Sequence, residues 1–465
     1  MGAMSFDPAI AAARFGTGLA PGRPLPADAA EMIAELTGPD RIAEALPSDG
    51  FGAVSARLTE DAELRARARR LPEEGAERDA LRAERKALQR RAVGLRGRRL
   101  ATALARRVAA PFGLRERMVG FWADHFTVRG RSPISQDGIH AHVETYLRPH
   151  VGGRFEDLLI SAALSPMMLD YLDAARSIGP GSKAARRGRG LNENLGRELL
   201  ELHTLGAGGP YGQGDVTELA ELLTGLTLGR GMEPGFDPRR AEPGAETVLG
   251  RSYGGDPARR AHVVALLRDL AAHPATASYV SGRMAVWFLG TGADPAVGEE
   301  MAAVWRATGG DLPMVASAMM AHPAAWTGPG RVRPPLDWIA ASMRVLGLPP
   351  EAVDSLPRRD VRRLVEAPLR TMGQPWNRPP GPDGWPEADT AWITPPAMAA
   401  RLTWAMTAPG ALAEAIPGGL PDPRVLAELA TAGRAVSELQ FAASAAEGRA
   451  EGVGLILSAP QFQRA

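Results

Sequence analysis

The stretch Leu191 to Gly229 most narrows what this chain can fold into. It holds a polar helix entrance, a glycine-rich break and a second helix start within one short span. At about 100° per residue, Asn194, Arg197, Glu198 and Glu201 share one face of a helix from Leu191 to Thr204, and Leu195, Leu199, Leu200, Leu202 and His203 fall on the other. His203 therefore points to the apolar side. Five glycines, a proline and Tyr211 between Gly206 and Gly214 stop the helix, since glycine opens backbone conformations that a helix does not use. Asp215 then stands three residues before Glu218, ahead of Val216, Leu219, Ala220, Leu222 and Leu223. That spacing predicts a capped second helix, hence a helical hairpin, with Asp215 as a cap contributing about 1 kcal/mol.

The polar face of the first helix admits two readings. In one it is solvated: Asn192 or Asn194 caps the helix, and Arg197 pairs with Glu193 or Glu201 for a few tenths of a kcal/mol. In the other a second polar surface covers it and the carboxylates line a cleft. A buried carboxylate there needs Arg197, a metal or a cationic ligand as its partner.

Composition supports helix through the rest of the chain. Alanine, leucine and arginine dominate the 465 residues, and aromatics make up only 5%. An all-α fold is expected: one large, multi-helix globular domain over 1–465 with Gly/Pro-rich loops. Residues 56–107, where Arg and Glu blocks alternate with Leu and Ala, are expected to protrude from it as a charged helical arm, broken near Leu71-Pro72 and at Gly94 and Gly97. With 54 basic and 53 acidic side chains, the charge balance calls for no nucleic-acid partner, and the arm lacks aromatics for base stacking. The absence of cysteine excludes disulfides, thiolate catalysis and cysteine-ligated metals. No apolar run reaches the roughly 18 residues of a membrane span. Ser5 to Gly22 shows no export-signal pattern, so a soluble, cytoplasmic protein is expected, with export as the alternative.

Further candidates lie outside the hairpin. His125 ends the helical segment Leu114 to Phe126 among Phe121, Trp122 and Phe126, where a histidine is either a packed core residue or a site residue. His140 and His142 form an H-x-H pair, but on a helix their rings point about 200° apart, so no metal site is expected. The Gly-rich approach with Lys183, Arg186, Arg187 and Arg189 is either a mobile loop or an anion cradle, without the spacing of a phosphate-binding P-loop. Gly373 to Pro386 holds Trp376 and Trp385 in a proline-rich frame that seals a core edge or walls a ligand site.

Several segments, in order, carry a family resemblance: Phe121-Trp122-Ala123-Asp124-His125-Phe126, Pro166 to Asp173, Asn192-Glu193-Asn194 through Arg197 to Gly206, Met372-Gly373-Gln374-Pro375, Gly384-Trp385-Pro386 and Ser458-Ala459-Pro460-Gln461-Phe462. The chain resembles the bacterial domain-of-unknown-function family eighteen-hundred. The resemblance implies no settled reaction. It does imply a partner, since many similar proteins are encoded beside a sulfatase-like family. Similar proteins often have phenylalanine where this chain has His203, which moves the expected site to His125, Asn192, Glu193, Asn194, Arg197 and Glu198.

The expected function is a binding or scaffold component that acts with a partner protein. The alternative is an enzyme, hydrolase-like or metal-assisted, whose polar cleft is lined by the Asn192 to Glu201 helix and His125. There Glu198 is the general base or a metal ligand, Arg197 fixes an anionic substrate, and Asn192, Glu193, Asn194, Glu201, Arg186 and Arg187 contact the ligand. The sequence names no cofactor.

Overall fold

In a computed structural model, which describes residues 6–185, 190–433 and 437–465, the protein is predominantly α-helical. The described strands form two small antiparallel pairs, Leu226–Leu228 with Pro234–Phe236 and Ala245–Val248 with Arg251–Gly254. No helix among the described residues is long and apolar enough to cross a membrane.

The charged stretch expected as an arm becomes two packed helices, Phe51–Ala68 and Ala76–Ala109, separated at Pro72 as the proline requires. Gly94 and Gly97 do not interrupt the second. Their open faces lie against the helix Arg358–Val361, with a Cβ on Gly94 falling 3.7 Å from Arg358 Nη1. Packing there offsets the roughly 1 kcal/mol that each glycine costs in a helix. Nor does the whole stretch stand out from the protein: Leu100, Leu104 and Val108 are buried, and Arg99, Arg106 and Arg107 are buried with them.

Two apolar clusters form the core. The larger gathers Trp122, Phe126, Phe155 and Trp305; the other gathers Trp338, Trp404 and the C-terminal helices around Leu457. Ala76–Ala109 belongs to both, giving Leu88 and Ala92 to the first and Leu100 and Leu104 to the second. Where the clusters meet, helix Leu114–His125 and helix Pro335–Val345 turn charged side chains toward each other, Arg117 toward Asp337. That polar seam holds the interior site described below.

The Leu191 to Gly229 hairpin forms, with a different first helix. Only Asn194–Glu198 is α-helical; Leu199–Thr204 widens into a π-turn in which Thr204 Oγ1 donates to the Leu199 carbonyl at 2.6 Å. Gly196 lets the two helices touch, because a Cβ there would lie 3.2 Å from both the Val216 carbonyl oxygen and the Ala220 nitrogen. Asp215 is not the cap residue. The second helix, Gln213–Leu222, starts before it, and Asp215 instead accepts the Gly212 N–H at 2.8 Å and the Leu249 N–H at 2.7 Å. With Glu218, which accepts the Thr247 N–H at 2.8 Å, it ties the 245–254 strand pair to the hairpin.

Candidate functional site

The polar face of the first hairpin helix divides into two parts. Asn192 accepts the Asn194 N–H at 2.9 Å and so organises the helix entrance, while Asn194 itself is exposed. Glu193 accepts from Arg197 at 3.1 Å, from Gln213 at 2.9 Å and from Thr217 at 2.8 Å. Hydrogen bonds from Thr217 and Gln213, with Arg197 adding its charge, hold Glu193 below the usual carboxylate range. The Arg197 pair is surface-exposed and contributes at most about 1 kcal/mol. Here the helix braces its partner helix.

Glu198 and Glu201 belong to the other part. Glu198 is half-buried and has no hydrogen-bond or ion-pair partner among the described residues. Burial pushes its carboxyl up, Glu201 and Asp383 add to this, and Arg197 opposes them. Tyr171 and Tyr211 are raised chiefly by burial, with the charge of Glu198 adding to it in both. Arg186 and Arg187, expected as ligand contacts, lie outside the described residues.

His125 is buried where the end of its helix meets the π-turn. Arg283 Nη1 donates to its Nδ1 at 3.2 Å, and because a guanidinium can only donate, Nδ1 must accept. Nε2 then carries the proton and donates to the His203 carbonyl at 3.1 Å. Burial, Arg283 and the His203 ring press the His125 pKa far down, against the hydrogen bond to the His203 carbonyl, and keep the ring neutral. Neither ring nitrogen is left for a substrate. His203 is buried beside it and pushed down to about 3 by burial and Arg283.

Its neighbour Asp124 faces differently. Asp124 Oδ1 accepts the Trp385 N–H at 2.8 Å, an approach that Gly384 permits, since a Cβ there would lie 2.6 Å from that same oxygen. The Gly384-Trp385-Pro386 motif thus anchors the 373–386 loop to the helix end. Burial pushes the Asp124 carboxyl up to about 7, against Trp385 N–H, Arg283 and Arg331, with Glu387 adding to the rise.

Beneath that loop lies a chamber of about 120 Å³, with charged side chains as well as Trp376 and Trp385 in its wall. Asp124 borders it; Glu198, Arg197 and His125 are not among the described residues that line it. The long helix contributes Arg106 and Arg107, helix Leu114–His125 contributes Glu116 and Arg117, and the π-turn Val143–Leu147 contributes Glu144, with Arg148 following it. These groups are wired in pairs. Arg106 meets Glu144 at 2.6 Å, Arg148 meets Glu116 and reaches Asp40 at 2.6 Å, and Asp337 receives both Arg117 and, at 3.6 Å, Arg107. Burial would raise Asp337, but Arg117, Arg107, Arg331 and Arg333 outweigh it and hold the carboxyl below its ordinary value. His140 and His142, from helix Pro133–His142, complete the wall; His140 lies 5.5 Å from the Trp376 ring centroid and 3.1 Å from Ser48 Oγ. The 373–386 loop is therefore a cavity wall.

The sequence reading missed this chamber although a signal existed. Leu114, Arg117, Met118 and Phe121 follow the i, i+3, i+4, i+7 rhythm of a buried helix face, and so do Asp337, Ala340, Ala341 and Arg344. A charge on such a face marks a buried polar site.

A separate group of carboxylates surrounds the 245–254 strand pair. Glu246 is 3% exposed and is pushed up to about 7 by burial and by Glu221, Glu218 and Glu242. A carboxyl whose folded pKa is raised favours folding at low pH, and that contribution disappears as pH climbs from 4.5 to about 7. Glu246→Gln is accordingly expected to be more stable than the parent at pH 8 by about 1–2 kcal/mol after solvent screening. Urea unfolding at pH 8 and pH 4.5 checks this: the gain should vanish at the lower pH, and equal stabilities at pH 8 refute it.

Fold and site together define a predominantly α-helical protein built around a charged interior chamber under a tryptophan-bearing loop. The family described as Protein of unknown function (DUF1800) matches residues 11–464, and the chain belongs to it. No curated protein and no solved structure matches the chain.

Proposed function

We propose that this protein is a binding component that holds a small ligand in the chamber beneath the 373–386 loop and acts with a partner protein. The observation that supports this reading is the chamber itself, whose charged walls are set in fixed ion pairs under two tryptophans. Preorganised polar groups with an apolar lid bind without first having to be ordered. The engagement of both His125 nitrogens and the Glu193 to Arg197 pair favours a bracing role for those residues. A sulfatase-like protein is the partner that the family resemblance suggests, and the exposed Leu402, Met406, Val425 and Phe441 of the C-terminal helices offer it apolar surface.

An enzyme is the second reading, favoured by the place of Asp124 at the chamber wall, where burial pushes its carboxyl up to about 7, the range suited to an acid–base group.

Thermal unfolding against a small-metabolite collection tests the binding reading. A ligand at 100 times its Kd adds about 2.7 kcal/mol and should raise Tm by several degrees, with a change in tryptophan emission. A hit that quenches nothing and persists in Trp376→Ala would overturn chamber binding. Mixing with a sulfatase-like protein should give a joint peak in gel filtration; separate elution removes that partner. Asp124→Asn, which keeps the oxygen that accepts Trp385 N–H, separates the readings. Ligand retained with turnover lost supports the enzyme; ligand retained with no turnover in either form supports the binder.

A further inference from the structure

Beside the chamber a second cavity of about 380 Å³ opens toward the surface, and Trp376, Asn377, Pro379 and Ile139 border both. Three arginines converge on it from separate parts of the chain: Arg96 from the long helix, Arg129 after helix Leu114–His125, and Arg378 from the loop. Their partners are neutral. Arg96 Nη1 and Arg378 Nη2 donate to the same oxygen, Gln136 Oε1, at 2.7 and 3.3 Å, and Arg129 donates to the Pro379 carbonyl at 2.6 Å and to that of Pro380. No carboxylate is among the described residues of the lining.

The contrast with the chamber is physical. There Arg106, Arg117 and Arg148 each meet a carboxylate, whereas here two guanidiniums share a single amide oxygen. Burial and the neighbouring Arg378 push the Arg96 guanidinium below its ordinary value, with Glu366 and Asp137 acting the other way from outside the lining. A cation cluster of this kind is relieved by an anion, and planar guanidinium forks match the paired oxygens of an oxyanion.

We propose that this basic mouth binds the oxyanion group, phosphate or sulfate, of a small molecule, with the half-buried Trp376 offering an apolar face to the adjoining atoms. The inference rests on the proposed function only for where the rest of that molecule goes, into the chamber. The mouth by itself takes the anion.

Calorimetric titration of the full chain with inorganic phosphate and with sulfate, at low ionic strength, tests the proposal. One saturable site is expected for at least one of the two anions, and the stronger of them is the group recognised. Arg378→Gln removes one exposed guanidinium and should weaken binding about tenfold, the worth of one charge-assisted hydrogen bond. Arg359→Gln makes the same change of charge at a side chain that is 88% exposed and outside the mouth, and should bind as the parent does. Unsaturable binding of both anions, or equal weakening in the two variants, overturns the site. A metabolite that stabilises the protein while neither anion binds would leave the chamber reading standing and remove the mouth. Anion binding with no metabolite hit would do the reverse.

Discussion

Asp337→Ala is expected to destabilise the protein by about 3–5 kcal/mol, the loss that follows when one partner of a buried ion pair is removed and the other charge stays behind. Asp337 is the carboxylate on which Arg117 and Arg107 converge, and Arg117 is 4% exposed. Arg117 also stands 5.4 Å over the Phe288 ring and 6.0 Å over the Trp287 ring, so it is packed in place and cannot swing to water. Urea unfolding of Asp337→Ala measures the loss. A companion variant, Asp337→Ala with Arg117→Met, should recover part of it by removing the stranded cation. The pH dependence has a definite sign. Because the folded pKa is depressed, the stabilisation is present above the ordinary value of 3.8 and lost as pH falls through the folded value, so parent and Asp337→Asn should converge in strong acid. A loss under about 1 kcal/mol at neutral pH would mean that the seam is solvated.

Arg344→Met should cost about 4 kcal/mol, for a different reason. Arg344 is buried and meets carbonyls rather than a carboxylate: Gly18 from Nε at 2.7 Å, Val108 and Ala110 from Nη1 at 2.7 and 2.6 Å, and Pro111 from Nη2 at 2.7 Å. Three of these carbonyls belong to the end of the long helix and the turn after it, where backbone oxygens have no intrahelical partner. Methionine fills the volume and satisfies none of them. Lysine should rescue little, because a single ammonium cannot reach acceptors spread around a planar fork. Thermal unfolding of Arg344→Met and Arg344→Lys checks both statements, and a lysine variant as stable as the parent would show that charge alone suffices.

Much of the local structure was legible in advance. Pro72 separates the two charged helices, and the glycine-rich stretch from Gly206 separates the two helical parts of the Leu191 to Gly229 hairpin. Three residues show where such reading stops. Gly94 looked like a break and is a packing face, because what contacts it comes from residues far along the chain. Asp215 looked like the N-cap residue and is the third residue of the helix, where it accepts the Gly212 N–H as in a capping box and also tethers Leu249, a contact that only the fold brings. His125 read either as a packed core residue or as a site residue, and only the tertiary structure shows both its nitrogens engaged, by Arg283 and the His203 carbonyl.

The sequence by itself determined the helical class, the hairpin at Leu191 to Gly229 and the family, because helix propensity, apolar periodicity, turn residues and motif order are all properties of neighbouring positions. Only the tertiary structure decided which charges are buried together. Arg107, Arg117 and Asp337 come from three separate helices, and Arg96, Arg129 and Arg378 from three separate stretches of chain. Burial and counter-charge depend on what packs against a side chain, and for these residues the packing partners lie scores to hundreds of positions away.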